Sequence, residues 1–367
     1  MMDFTFKTYE KLLNSLLARG FSFITFAQYM ELKTESENNP SQPFSNLKPR
    51  TPNAEPPTHQ QINKEQINNF ESLNPESLNL IILRHDVEAR YPSALRMAQI
   101  EHKLGIMGSY YFRLFPVADN DRIISQIAAL GHEVGYHYDD LSVCKGNHEA
   151  ALKRFQKNLA HLRQFAPVST ITMEGAPLSK YDNRDLWKQP LTPQLLESLN
   201  LESSNPQQIN KFYPERWLPS GVEASRRATN QHANKITSQQ ANISTNPLST
   251  VHYSPFTVHY SLFSITAEPY FDLDFNQFFY LTDTGRCWDG WNVSVRDKVP
   301  QQEEWVKQGL VFHSTEQIIR AANEERLPDK IMMTFHPQRW TNNHVFWLKE
   351  LVLQRLKNVV KRGLVRF

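Results

Sequence analysis

The stretch LIILRHDVEARYP, Leu80 to Pro92, sets a run of aliphatic residues directly ahead of a histidine and two acids. A continuous apolar run of this length is the pattern of a strand buried on both faces, as in parallel sheets covered by helices. Pro92 suits the first turn of the helix that follows, because proline lacks an amide hydrogen which that turn leaves unbonded anyway. Gly105 suits the helix end. Strand, polar loop, helix is the repeating unit of an α/β fold.

Outward from this stretch the pattern recurs. GSYYFRLF (108–115), HEVGYHY (132–138), STITME (169–174), FFYLTD (278–283), GLVFHS (309–314) and KIMMTFH (330–336) are predicted strands. DRIISQIAAL (121–130) and TEQIIRAANEE (315–325) are predicted helices, and a C-terminal helix carries Leu348, Leu351, Val352, Leu356 and Val359 on one face. Strands alternating with helices imply a parallel sheet or barrel, whose chemistry sits at the C-terminal strand ends.

Two segments break the pattern, Thr34 to Asn69 and Glu202 to Thr250, both rich in Asn, Gln, Ser, Thr and Pro. They bury too little apolar surface to offset the cost of ordering, and read as insertions. The organisation predicted is an N-terminal helical part (1–33), an insertion (34–77), a first core part (78–201), a second insertion (202–250) and a second core part (251–367). The echo TVHYSPF–TVHYSLF, Thr250 to Phe263, reads as a local duplication rather than a ligand pair made by His252 and His259.

With 40 Lys plus Arg against 38 Asp plus Glu, the net charge of +2 gives no global field for nucleic acid. No signal-type N-terminus or membrane-spanning run is read, so a cytoplasmic location is expected, with no membrane span. Cys144 and Cys287 are far apart and read as reduced and structural. Nothing in the sequence sets the oligomeric state.

Titratable groups gather where the predicted strands end: His85, Asp86 and Glu88; His137, Asp139 and Asp140; Glu174; Asp283 with Trp288; His336 with Arg339 and Trp340. Carboxylates and imidazoles are the donor set for zinc and its neighbours. His85 alternates away from Asp86 and reads as a core histidine, and His132, at the start of its strand, reads as structural.

The series LRHDVE, GSYYFR, LGHEVGYHYDDL and TFHPQRW resembles the polysaccharide deacetylase superfamily, the carbohydrate esterases of the nodulation-protein type, over about 3–33, 78–201 and 269–361. The resemblance implies an irregular (β/α)7-type barrel in a single domain, and a metal-dependent hydrolase that removes an acetyl group from a sugar or glycan precursor. It implies Asp86 as base, Glu88 and His137 as ligands to a divalent metal, zinc foremost, with Asp86 also counted in the metal set, and His336 as acid. Alternatively, His85 takes the base position and Asp86 the ligand position. Asp283, Trp288, Arg339 and Trp340 are candidates to line a sugar cleft. Leu141 stands where the family has its second metal histidine, and EGAP (174–177) replaces an arginine-proline motif, so no arginine there orients the base. Two rival readings follow: a carbohydrate-binding descendant without catalysis, or an assembly factor acting through its insertions.

Overall fold

The computed structural model describes residues 2–38, 79–115, 120–188, 193–199, 262–289 and 298–365. By backbone contacts the chain forms two compact units, Met1–Leu186 with Ile265–Phe367, and Trp187–Ser264. Most of the second unit, with the insertion at 202–250 and the His252/His259 echo, lies outside the described residues, as do 39–77 of the first insertion and residue 78.

The first unit is built on a parallel sheet of β1 (Ser22–Ile24), β2 (Leu80–Val87), β3 (Ser109–Phe112), β4 (Glu133–Tyr138), β5 (Ile171–Met173), β6 (Phe279–Thr282) and β7 (Lys330–Phe335). Its order is β5-β4-β3-β2-β7-β6, curled into a half-barrel. Strand β1 pairs with the first half of β2 through Ser22 to Leu80, and β3 takes over the same edge from Arg84 to Ser109. All eight residues of β2 are buried, so the strand continues beyond the aliphatic run through Arg84, His85 and Asp86.

Helices α1 (Phe6–Ala18), α2 (Phe26–Asn38), α3 (Tyr91–Lys103), α4 (Asn120–Ala129), α5 (Asp140–Val143) and α6 (His148–Leu162) belong to the first half of this unit. In the second unit Pro193–Ser198 forms the short helix α7. Then come α8 (Pro269–Asp272), α9 (Gln302–Lys307), α10 (Thr315–Asn323) and α11 (His344–Val365). Helix α3 has Pro92 in its first turn and ends before Gly105 at φ 73, the left-handed conformation glycine adopts without strain. Among the described residues no helix is long and apolar enough to cross a membrane.

Three expectations change. GLVFHS (309–314) is not a strand: Gly309 turns at φ 76, the Leu310 amide bonds back to Trp305, and Ser314 caps α10. The link between α9 and α10 forms no strand pairing among the described residues and packs Phe312 against Phe279, with Leu310 partly buried on the same core. Residues 34–38, assigned to an insertion, continue α2. The predicted apolar face of α11 is not a buried face, since Leu348, Val352, Leu356 and Val359 are exposed and Leu351 alone of the five turns toward the core.

Candidate metal centre

Strand register decides which side chains meet. Side chains alternate along a strand, so Arg84 and Asp86 share one face of β2 and His85 takes the other. Asp86 pairs with Tyr111 on β3, Tyr111 with Gly135 on β4, and His137, two residues on, with Thr172 on β5. On the other side Arg84 pairs with Thr334 of β7, and His336 lies two residues beyond it. One face of the curl thus brings Asp86, His137 and His336 to its C-terminal rim. His85 lies on the opposite face, stacked on Tyr110 at 4.0 Å, with Nε2 3.0 Å from Glu101 of α3. His132 is also tied there, its Nε2 bonded to the Ala98 carbonyl.

Three donors come together on the rim: Glu88 just past β2, His137 at the end of β4 and Glu174 just past β5, their ligand atoms within 4.8 Å of one another. His137 Nδ1–H donates to the Thr172 carbonyl at 3.1 Å, which turns Nε2 toward the carboxylates. Nε2 lies 3.3 Å from Glu174 Oε2. Two corners of a zinc tetrahedron with bonds of about 2.05 Å are about 3.3 Å apart. Glu174 Oε1 accepts from the Ala176 amide, while buried Oε2 receives no hydrogen bond among the described residues. Arg84 Nη1, Thr172 Oγ1 and Thr334 Oγ1, on the same sheet face, are likewise buried and unbonded. Buried polar atoms left open in this way suit a polar ligand or ion.

Electrostatics follow from crowding. Burial alone would lower the His137 pKa, but Asp86, Glu174 and Glu88 outweigh it and raise it to about 9. Burial, then the neighbouring Glu174, raises the Glu88 carboxyl. Burial works the other way on Glu174, yet His137 and the Ala176 amide hold it well below the ordinary carboxylate range.

Asp86 stands outside the trio. Both of its oxygens accept from Arg84, Nε to Oδ1 at 2.9 Å and Nη2 to Oδ2 at 2.8 Å, with the pair nearly inaccessible. Burial opposes ionisation of Asp86, but Arg84, His137 and His336 together lower its pKa. The strand therefore supplies the arginine that the EGAP segment does not. Asp86 is placed as an oriented carboxylate rather than as a member of the donor set. Glu174, named at a strand end but left out of the predicted ligands, is in that set. Its backbone carbonyl accepts from Asn183 Nδ2, and Asn183 Oδ1 accepts from the Ser142 amide, so the loop is anchored to α5. Leu141 is buried and supplies no donor.

His336 faces Glu88 with Nε2 at 3.4 Å and donates Nδ1–H to Asp283 at 2.6 Å. Asp283, fully buried, also accepts from Arg339 Nη1 at 3.0 Å and Trp340 Nε1 at 2.6 Å. Burial resists its charge, but His336, Arg339 and Trp340 lower its pKa. Asp283, Arg339 and Trp340 thus sit behind His336 instead of lining an open cleft. Trp288 is corrected in the same way. It is buried against Phe335 and Trp340, and its Nε1 donates to Thr315 at 2.9 Å, so neither ring face is free for a sugar. Asp139 is consumed by Arg113 and Arg154, and Asp140 by Arg154 and Tyr136. Cys144 and Cys287 are free thiols. Against known proteins, the chain matches no family model, no curated protein and no solved structure.

Proposed function

We propose that the chain is a metal-dependent hydrolase that removes an acetyl group, held by an amide or ester bond, from a sugar or glycan precursor. In this reading the half-barrel is an irregular (β/α)7-type barrel of the polysaccharide deacetylase kind. The observation that carries the proposal is the convergence of Glu88, His137 and Glu174 beside the His336–Asp283 pair. One imidazole and two carboxylates would hold a divalent cation, with zinc the ion best suited to them. When bound, such an ion polarises the acyl carbonyl and makes water a stronger acid.

The protein's own groups do the rest. Asp86, ionised and fixed by Arg84, accepts the proton of the attacking water. His336 in its imidazolium form is held by Asp283 at Nδ1 and donates from Nε2 to the leaving nitrogen or oxygen. The acyl bond to the sugar breaks, the water oxygen ends on acetate, and the sugar leaves as amine or alcohol. Zinc content and acetate release from N-acetylglucosamine oligomers test the reading. About one zinc per chain is expected, with both zinc and activity lost in H137A and E174Q and activity alone lost in H336N. A folded chain that retains no divalent ion, or zinc retention indifferent to H137A and E174Q, overturns it.

A further inference from the structure

Helix α11 packs on the core by one face. Trp347, Leu351, Gln354 and Asn358 turn inward, the Trp347 ring lying 4.5 Å from the Arg286 guanidinium and its Nε1 donating to the Asp3 carbonyl at 2.7 Å. Asn358 Nδ2 donates to the Gly285 carbonyl at 2.8 Å. At about 100° per residue, the solvent side of the helix carries Val345, Leu348, Val352, Leu356 and Val359, with the exposed Leu353 and Phe346 further round. The first five are exposed by 76, 57, 50, 61 and 67% respectively. Such a row is unlike apolar residues scattered singly over a surface.

The borders of this row are cationic. Arg355 borders it on one side and Lys349 on the other, where the exposed Leu353 and Phe346 follow before Lys357; all three cations are exposed. Glu350, the only acid in α11, lies at the edge of the packed side and accepts from Gln354 at 3.1 Å. In sequence the helix goes on to Lys361 and Arg362. A second copy would set cation against cation along this face, with no acid to answer. An apolar strip edged by cations whose stems run along it matches an anionic interface, where tails meet the strip and headgroups meet the ammonium and guanidinium tips.

We propose that this face of α11 seats the protein on anionic lipid bilayers, with the helix lying in the headgroup plane rather than crossing it. The test is sedimentation of the full chain with vesicles of phosphatidylcholine alone, or with about a third phosphatidylserine. Binding to the anionic vesicles only is expected, weakening as salt rises. Each of K349Q and R355Q should weaken it about fivefold, and L348E/L356E should abolish it with the circular dichroism spectrum unchanged. Absence of anionic-vesicle binding by the folded chain, or binding indifferent to L348E/L356E, overturns the proposal. So does a chain that ignores vesicles yet pairs with itself or with an acidic amphipathic peptide through Leu348 and Leu356.

Discussion

Arg84 and Asp86 show how much one spacing can do. Two residues apart on a buried strand, they share a face, and their bidentate pair carries the charge that burial would otherwise suppress. Removing one partner strands the other, so R84M should cost about 3–5 kcal/mol in urea unfolding. R84M/D86L, which removes both charges, should recover part of that loss in a double-mutant cycle. Recovery of nothing would mean that the arginine acts through packing on Tyr270, whose ring lies 4.8 Å away. The spacing was present in the sequence, but the aliphatic run ending at Leu83 hid it, because the strand appeared to stop before its polar half. Glu174 was hidden differently. Its position after β5 was readable, but joining it to Glu88 and His137 needs the curl of the sheet, which no local pattern encodes. Trp288 and Trp340 could not be told from cleft residues for a related reason: an indole stacking on sugar and an indole bonded to a buried carboxylate have the same sequence.

Among the elements, β4 illustrates what alternation reveals. Its register places Gly135 opposite Tyr111, and a Cβ on Gly135 would fall 2.3 Å from that ring, which is held by Thr170. G135A should therefore destabilise the fold by about 1–3 kcal/mol, read as a lower denaturant midpoint with an unchanged slope. Helix α8 adds a pH-dependent element. Its N-cap, Glu268, is fully buried and accepts from the Met173 and Tyr270 amides, and burial, aided by Asp272, raises its pKa to about 8. The folded state then holds a proton that the unfolded state releases from about pH 4.5 upward, so this group's contribution to stability falls as pH rises from there to about 8. E268Q should flatten that part of the melting-temperature profile. Core strands and amphipathic helices were legible because burial writes a period into the sequence. β1 was not, since Ser22–Ile24 is too short to show one. GLVFHS misled because an apolar Leu-Val-Phe run in the seven-residue link between α9 and α10 resembles a strand. The stripe on α11 misled because helical periodicity reports an apolar face without saying whether the protein covers it.

At the level of the whole molecule, the rim joins the end of interior β2 to those of β4 and edge strand β5, so an ion held there would tie these three strands together. A ligand bound only by the folded state stabilises it, by about 2.7 kcal/mol at a hundredfold excess over the dissociation constant. Protons compete for the same atoms. With no ion bound, His137 titrates near pH 9, above its ordinary 6.5. Its imidazolium therefore stabilises the fold fully below about pH 6.5, and that contribution is lost as pH rises through about 9. Binding zinc requires the neutral ring, so apparent affinity should climb over the same window, by up to about tenfold per pH unit. The two trends diverge: metal-free protein loses stability as pH rises, while the zinc-loaded protein gains ligand affinity. Melting temperatures measured in chelator and in excess zinc should therefore draw further apart from pH 6.5 to pH 8.5, and H137Q should remove both the gap and its slope. A gap that is constant across this range would separate His137 from the ion, leaving Glu88 and Glu174 as a carboxylate pair without the imidazole that selects zinc.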